Sequence, residues 1–133
     1  MKDTVYWLFI RGSVVIFVLF TLNSVGVFGD LYSIFSWWDI MTHTLGGMAI
    51  GFFVLALLVR CYVYLPHKHS TILFFSILCA FVFFGWEVYE FYINNAWGGL
   101  RFDTLDTVSD IMNDTIGALL AYMWLDRFGP LKQ

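Results

Sequence analysis

Four mainly apolar stretches, each near or above the roughly 20 residues that cross a bilayer as a helix, alternate with short polar breaks along this chain. The pattern predicts a first helix over about 6–27, ended by Gly29-Asp30. A second runs over about 36–60. There Ser36-Trp37-Trp38-Asp39 reads as a capping box, with the hydroxyl at the N-cap and the acid at N3. After Pro66 and the polar run His67-Lys68-His69, Ser70 caps a third helix over about 71–93, ended by Asn94-Asn95 and Gly98-Gly99. The fourth covers about 104–127 and stops before Gly129-Pro130. Arg11 interrupts the first apolar run and no small-x-small cleavage pattern follows, so this segment reads as a retained helix and not a cleaved signal.

Composition fits this picture. The 133 residues are 60% hydrophobic and only 13% charged, against about a quarter charged in soluble domains. The expected fold class is all-α: one polytopic transmembrane bundle of four helices spanning residues 1–133. No basic stripe exists, which excludes nucleic acid as a partner. Cys61 and Cys79 have no ligand spacing and read as apolar fillers.

Charge fixes an expected orientation. Lys2, Arg11, Arg60, Lys68, Arg127 and Lys132 fall on one side of the four-helix topology and Arg101 on the other. Basic residues mark cytoplasmic loops, so both termini are expected inside.

On that topology the acids converge. Asp39 and His43 lie near the outer end of the second helix, Glu87 and Glu90 near that of the third, and Asp103, Asp106, Asp110 and Asp114 descend the fourth. At 1.5 Å per residue, His43, Glu87 and Asp110 reach a common depth of about 10 Å. Asp39 and His43 are four apart and Glu87 and Glu90 three apart, so each pair shares a face. Asp103, Asp106, Asp110, Asn113, Asp114 and Gly117 fall within a stripe of about 100°. Facing lipid would be costly, so these stripes are expected to point inward. Gly46, Gly47 and Gly51, with Gly117 and Ala121, have the small-xxx-small spacing that lets helices approach closely.

Seven carboxylates so close together in low dielectric are either partly protonated or neutralised by cations. Asp39, His43, Glu87, Glu90, Asp106, Asp110 and Asp114 form the expected ligand set for a divalent metal ion, Mg²⁺, Mn²⁺ or Zn²⁺. Such a site polarises a phosphoryl or carbonyl oxygen, with His43, Glu87 and Asp110 as the candidate catalytic groups. Its depth suggests a membrane lipid or lipid-linked phosphoester whose head lies near the outer surface. Trp37, Trp38, Trp86, Tyr89, Tyr92 and Trp97 either line its entry or simply anchor the helices. Arg101 and Asp103 are candidate substrate-binding residues.

Plainer readings stand beside these. His43 serves equally as an interhelical hydrogen-bonding group, Asp39 and Asp103 as helix caps, and Arg101 as a partner for Asp103. Asp110 and Asp114 are too deep to be caps. Asn113-Asp114-Thr115 matches a glycosylation sequon but lies inside a helix. A metal-dependent membrane hydrolase or transferase is the leading expectation. Ion or proton translocation is the alternative, and a non-catalytic subunit holding another protein's polar helix is a third. Homo-oligomerisation is open, with no feature fixing a copy number.

Asp39-x-x-x-His43 followed by Gly46-Gly47, then Glu87-x-x-Glu90, then Asp103-x-x-Asp106-x-x-x-Asp110 and Gly117-Ala118, resembles the bacterial membrane family typified by YjdF. It is also similar to VanZ-like proteins, in which an Asp and a His on one helix precede Asp-x-x-x-Asn-x-x-Gly. Here Asp114 replaces that Asn, and Ile40 stands where those proteins carry a Lys. The resemblance covers helices two to four. It implies a multi-helix protein with an acidic intramembrane motif, and together with the charge bias it implies a bacterial inner (plasma) membrane.

Overall fold

The structure, a computed structural model, describes residues 2–61, 68–96 and 104–128. Five helices appear in order: α1 (Lys2–Phe28), α2 (Leu31–Ile34), α3 (Ser36–Arg60), α4 (Lys68–Ala96) and α5 (Thr104–Phe128). No strand occurs among the described residues. α1, α3 and residues Thr71–Ile93 of α4 are long and apolar enough to cross a membrane. α5, with 25 residues, is long enough but is not among them, because Asp106, Asp110, Asn113 and Asp114 occupy its first half.

Glycine ends α1: the Gly29 amide donates to the Val25 carbonyl at 2.9 Å. Asp30 then takes a left-handed conformation (φ 53°), which Asp tolerates better than most residues. This turns the chain into the single turn of α2, which the sequence pattern did not predict. The capping box is not formed. Phe35, extended at φ −127° and ψ 103°, is both the last cap of α2 and the first cap of α3, with no side-chain capping bond. Ser36 is therefore the first helical residue and Asp39 the fourth. α4 begins at Lys68, which places Ser70 inside the helix, and it runs three residues past the expected end to Ala96. Asn costs a helix at most about 0.7 kcal/mol relative to Ala, too little for Asn94-Asn95 to stop a long apolar run.

α3 is the hub. It packs against α1, α2, α4 and α5 and has ten buried residues, compared with four in α1. α1 runs antiparallel to it, with Phe9 stacked edge-on against Phe53 at 5.2 Å. α5 runs parallel to it in glycine-mediated contact. A Cβ on Gly47 would overlap the Asp114 backbone, one on Gly117 would overlap the Thr44 carbonyl, and one on Gly51 would lie 2.9 Å from Ala118 Cα. The small-residue spacing therefore sets how closely these two helices approach.

The apolar core, with Phe52, Leu55, Phe75, Phe83, Ala121 and Leu125, fills the half of the bundle away from α2. Arg11, within α1, lies with its guanidinium 3.7 Å from the Trp124 ring centroid and 5.6 Å from that of Trp7. Exposed Phe17, Phe20, Phe81, Phe84 and Met123 give the outer faces a hydrocarbon surface suited to lipid.

Candidate functional site

His43 stands at the centre of the polar end. It sits one turn below Asp39 on α3, and the close α3–α5 approach brings Asp110 and Asp114 to opposite sides of its ring. Its Nε2 is 3.7 Å from Asp39 Oδ1 and 3.6 Å from Asp110 Oδ1, while Nδ1 is 3.5 Å from Asp114 Oδ1. Asp110 and Asp114 are buried, each with a side chain only 7% exposed, while Asp39 is 36% exposed. The four-residue spacing on α5 is one helical turn, so the two carboxylates stack along the face that meets His43.

Two overlapping groups of ligand atoms result. One atom each from Asp39, His43 and Asp110 lie within 4.8 Å of one another, and so do one each from His43, Glu87 and Asp114. Two ligands on opposite sides of an ion stand at most about 4–5 Å apart at Mg²⁺, Zn²⁺ or Ca²⁺ bond lengths, so both spacings fit a shared cation. Glu87 adds an independent sign. Its Oε1 is buried and accepts no hydrogen bond among the described residues. A carboxyl group with an oxygen in that position is stable only when protonated or beside a cation.

Glu90 is half-buried and lines a cavity of about 580 Å³ together with Asp39, His43 and Asp114. Trp86, one of the aromatic residues expected near an entry, lines it too, whereas Tyr92 is 72% exposed. Asp106 occupies the exposed first turn of α5 and belongs to neither ligand group. Arg101, Asp103 and Trp97 lie outside the described residues.

Sequence reasoning missed the contribution of α1 and α2. Asn23, Tyr32 and Thr42 also line the cavity. The Tyr32 hydroxyl donates to Asn23 Oδ1 at 2.6 Å and lies 3.5 Å from Thr42 Oγ1. Asn23 was the available signal, as an amide set in an apolar helix with nothing local to pair with. Tyr32 was indistinguishable from an interfacial anchor until α2 turned it back over the site. Asp39 does not cap its helix; its carboxylate faces His43.

No curated protein and no solved structure matches the chain. A model described as "Predicted membrane protein (DUF2238)" matches residues 9–129, nearly the whole length. The chain therefore belongs to the DUF2238 family of predicted membrane proteins.

Proposed function

We propose that this membrane protein binds a divalent cation at its carboxylate–histidine cluster and acts as a metal-dependent enzyme on a lipid or lipid-linked phosphoester. The observation that carries the reading is that two groups of three ligand atoms, Asp39–His43–Asp110 and His43–Glu87–Asp114, drawn from three helices, share one imidazole at ligand spacing. A structural ion pair needs one acid beside His43, and the excess of acids is better explained by a cation. The environment supports the reading too, because Gly46 and Trp86 join this cluster to a cavity with one polar and one apolar end.

On this reading Asp39, Asp110 and His43, through its Nε2, hold the ion, with Asp114 on the other side of the imidazole, Glu87 in the group that Asp114 and His43 form, Glu90 at the cavity side and Asp106 above. When bound, it supplies Lewis-acid polarisation of a phosphoryl oxygen and an acidified water. Glu87 is the assigned proton acceptor, since its buried Oε1 has no hydrogen-bond partner among the described residues. Asp114 holds the opposite ring nitrogen of His43 and fixes which nitrogen faces the ion. Arg101 and Asp103 are assigned to the substrate head on sequence grounds alone.

The same reading takes α5 as a fourth span, both termini as cytoplasmic, and the site as facing the outer leaflet of a bacterial inner membrane. It prefers a YjdF-like to a VanZ-like relationship, since Ile40 and Asp114 depart from the latter pattern. Ion translocation is disfavoured because Phe52, Leu55, Phe75, Ala121 and Leu125 close the other half of the bundle. The test is phosphate release from a panel of lipid phosphates by reconstituted protein with Mg²⁺, Mn²⁺ or Zn²⁺. Release that falls at least 100-fold in Glu87→Gln supports the assignment. Equal rates in the two proteins remove Glu87 from the chemistry.

A further inference from the structure

α1 and α4 both pack on α3, yet their backbones do not approach each other closely among the described residues. The 580 Å³ cavity is the cleft between them, with α3 as its floor. Its volume is that of a small-molecule site. Its lining is sorted along its length. Asn23, Asp39, His43 and Glu90 gather at the α2 end, with Val27 and Trp86 beside them, while Ile16, Leu19, Phe20, Ile50, Val82 and Phe83 line the rest. From Asp39 to Ile50 is eleven residues, or about 16 Å of helix rise. That is roughly half of a 30 Å hydrocarbon core, the depth of one leaflet.

We propose that this cleft is a lateral lipid-binding groove, which takes one hydrocarbon chain of a phosphate-bearing lipid between α1 and α4 and sets its phosphate at the His43 cluster. The polarity gradient matches that of a single lipid, with the head at one end and the chain along the other. The cleft walls are membrane-crossing helices, so its open side faces hydrocarbon and not water. Coordination selects the head: a divalent cation held by carboxylates would take a phosphate oxygen as a further ligand more strongly than the oxygen of an uncharged head. The choice of phosphate thus rests on the cation reading above, while the chain-binding groove does not.

Gly46 controls the passage between the two ends. A Cβ there would lie 3.7 Å from Asp114 Oδ1 and 3.8 Å from Leu19 Cδ2, so Ala fits and a larger side chain projects into the cleft. Phe17 and Phe20 supply an internal control. They are equally exposed, at 71% and 70%, but only Phe20 lines the groove.

The experiment reconstitutes the full chain with phosphatidylglycerol carrying a diazirine midway along one acyl chain. After irradiation, adducts are mapped by peptide mass spectrometry, with and without Mg²⁺. The expected result is at least fivefold more label on Phe20, Leu19 and Val82 than on Phe17 and Phe81, with the excess lost in Gly46→Leu. Circular dichroism and thermal melting of that variant establish that it has folded. Groove labelling that ignores Mg²⁺ keeps the chain site and removes the cation from head recognition. Equal labelling of Phe20 and Phe17 overturns the groove, as does a groove left unlabelled because a second copy of the chain fills it, whatever the metal content.

Discussion

Gly47→Ala places a methyl group against the Asp114 backbone, at the closest approach of α3 and α5. The obstacle is main chain, so no rotamer change relieves it. Non-bonded carbon contacts settle at about 3.5–4.0 Å, which requires the helices to part by roughly 1.5 Å. Overpacking of this kind costs about 3 kcal/mol at the upper end. Replacing Gly by Ala in a helix returns about 1 kcal/mol, leaving a net loss of about 2 kcal/mol. On soluble-domain scaling that lowers the melting temperature by roughly 8 °C. The parting also carries Asp110 and Asp114 away from His43, and the 3.5–3.6 Å separations then exceed ion-pair range. The adjacent Gly46→Ala meets only ordinary contacts at 3.7 and 3.8 Å and is expected to be neutral or slightly stabilising. Thermal melting in detergent, with metal content measured on the same samples, reads both effects. Indistinguishable melting of the two alanine variants would refute the claim that glycine contact builds the site.

Two further outcomes follow from geometry outside the cluster. Arg11→Leu removes a guanidinium stacked 3.7 Å from Trp124 and is expected to cost about 1–2 kcal/mol, read as earlier melting with altered tryptophan fluorescence, whereas Arg11→Lys recovers part of the loss. Cys61 is exposed at the end of α3 and Cys79 is buried, so a membrane-impermeant maleimide should label the chain once, in inverted vesicles and not in intact cells. Labelling of intact cells would reverse the proposed orientation.

Much of the bundle was legible because long apolar runs are unambiguous, and the ends of α3 and α5 lie within a residue of those expected. The meeting of Asp39, His43, Glu87, Asp110 and Asp114 was legible for a related reason. Helical spacing gives each acid a face, and alternating helix directions bring those faces to one end. The single turn of α2 was not legible, because it depends on the positive φ of Asp30 and on Phe35 capping two helices at once. Nor was the cleft. α1 is apolar around its whole circumference, so periodicity does not say which face meets α3 or that α4 stays clear of it. For the same reason the sequence pattern did not single out Asn23 as part of the site.

On the proposed reading His43 and its carboxylates hold a divalent cation. Metal content of gently purified protein, measured by plasma mass spectrometry beside Asp110→Asn, tests it most directly, since that variant keeps the side-chain shape and removes the charge. Near-stoichiometric Mg²⁺, Mn²⁺ or Zn²⁺ is expected in the native chain, with at least a tenfold loss in the variant. Absence of metal from the native chain after incubation with each ion, or equal content in both proteins, would contradict it.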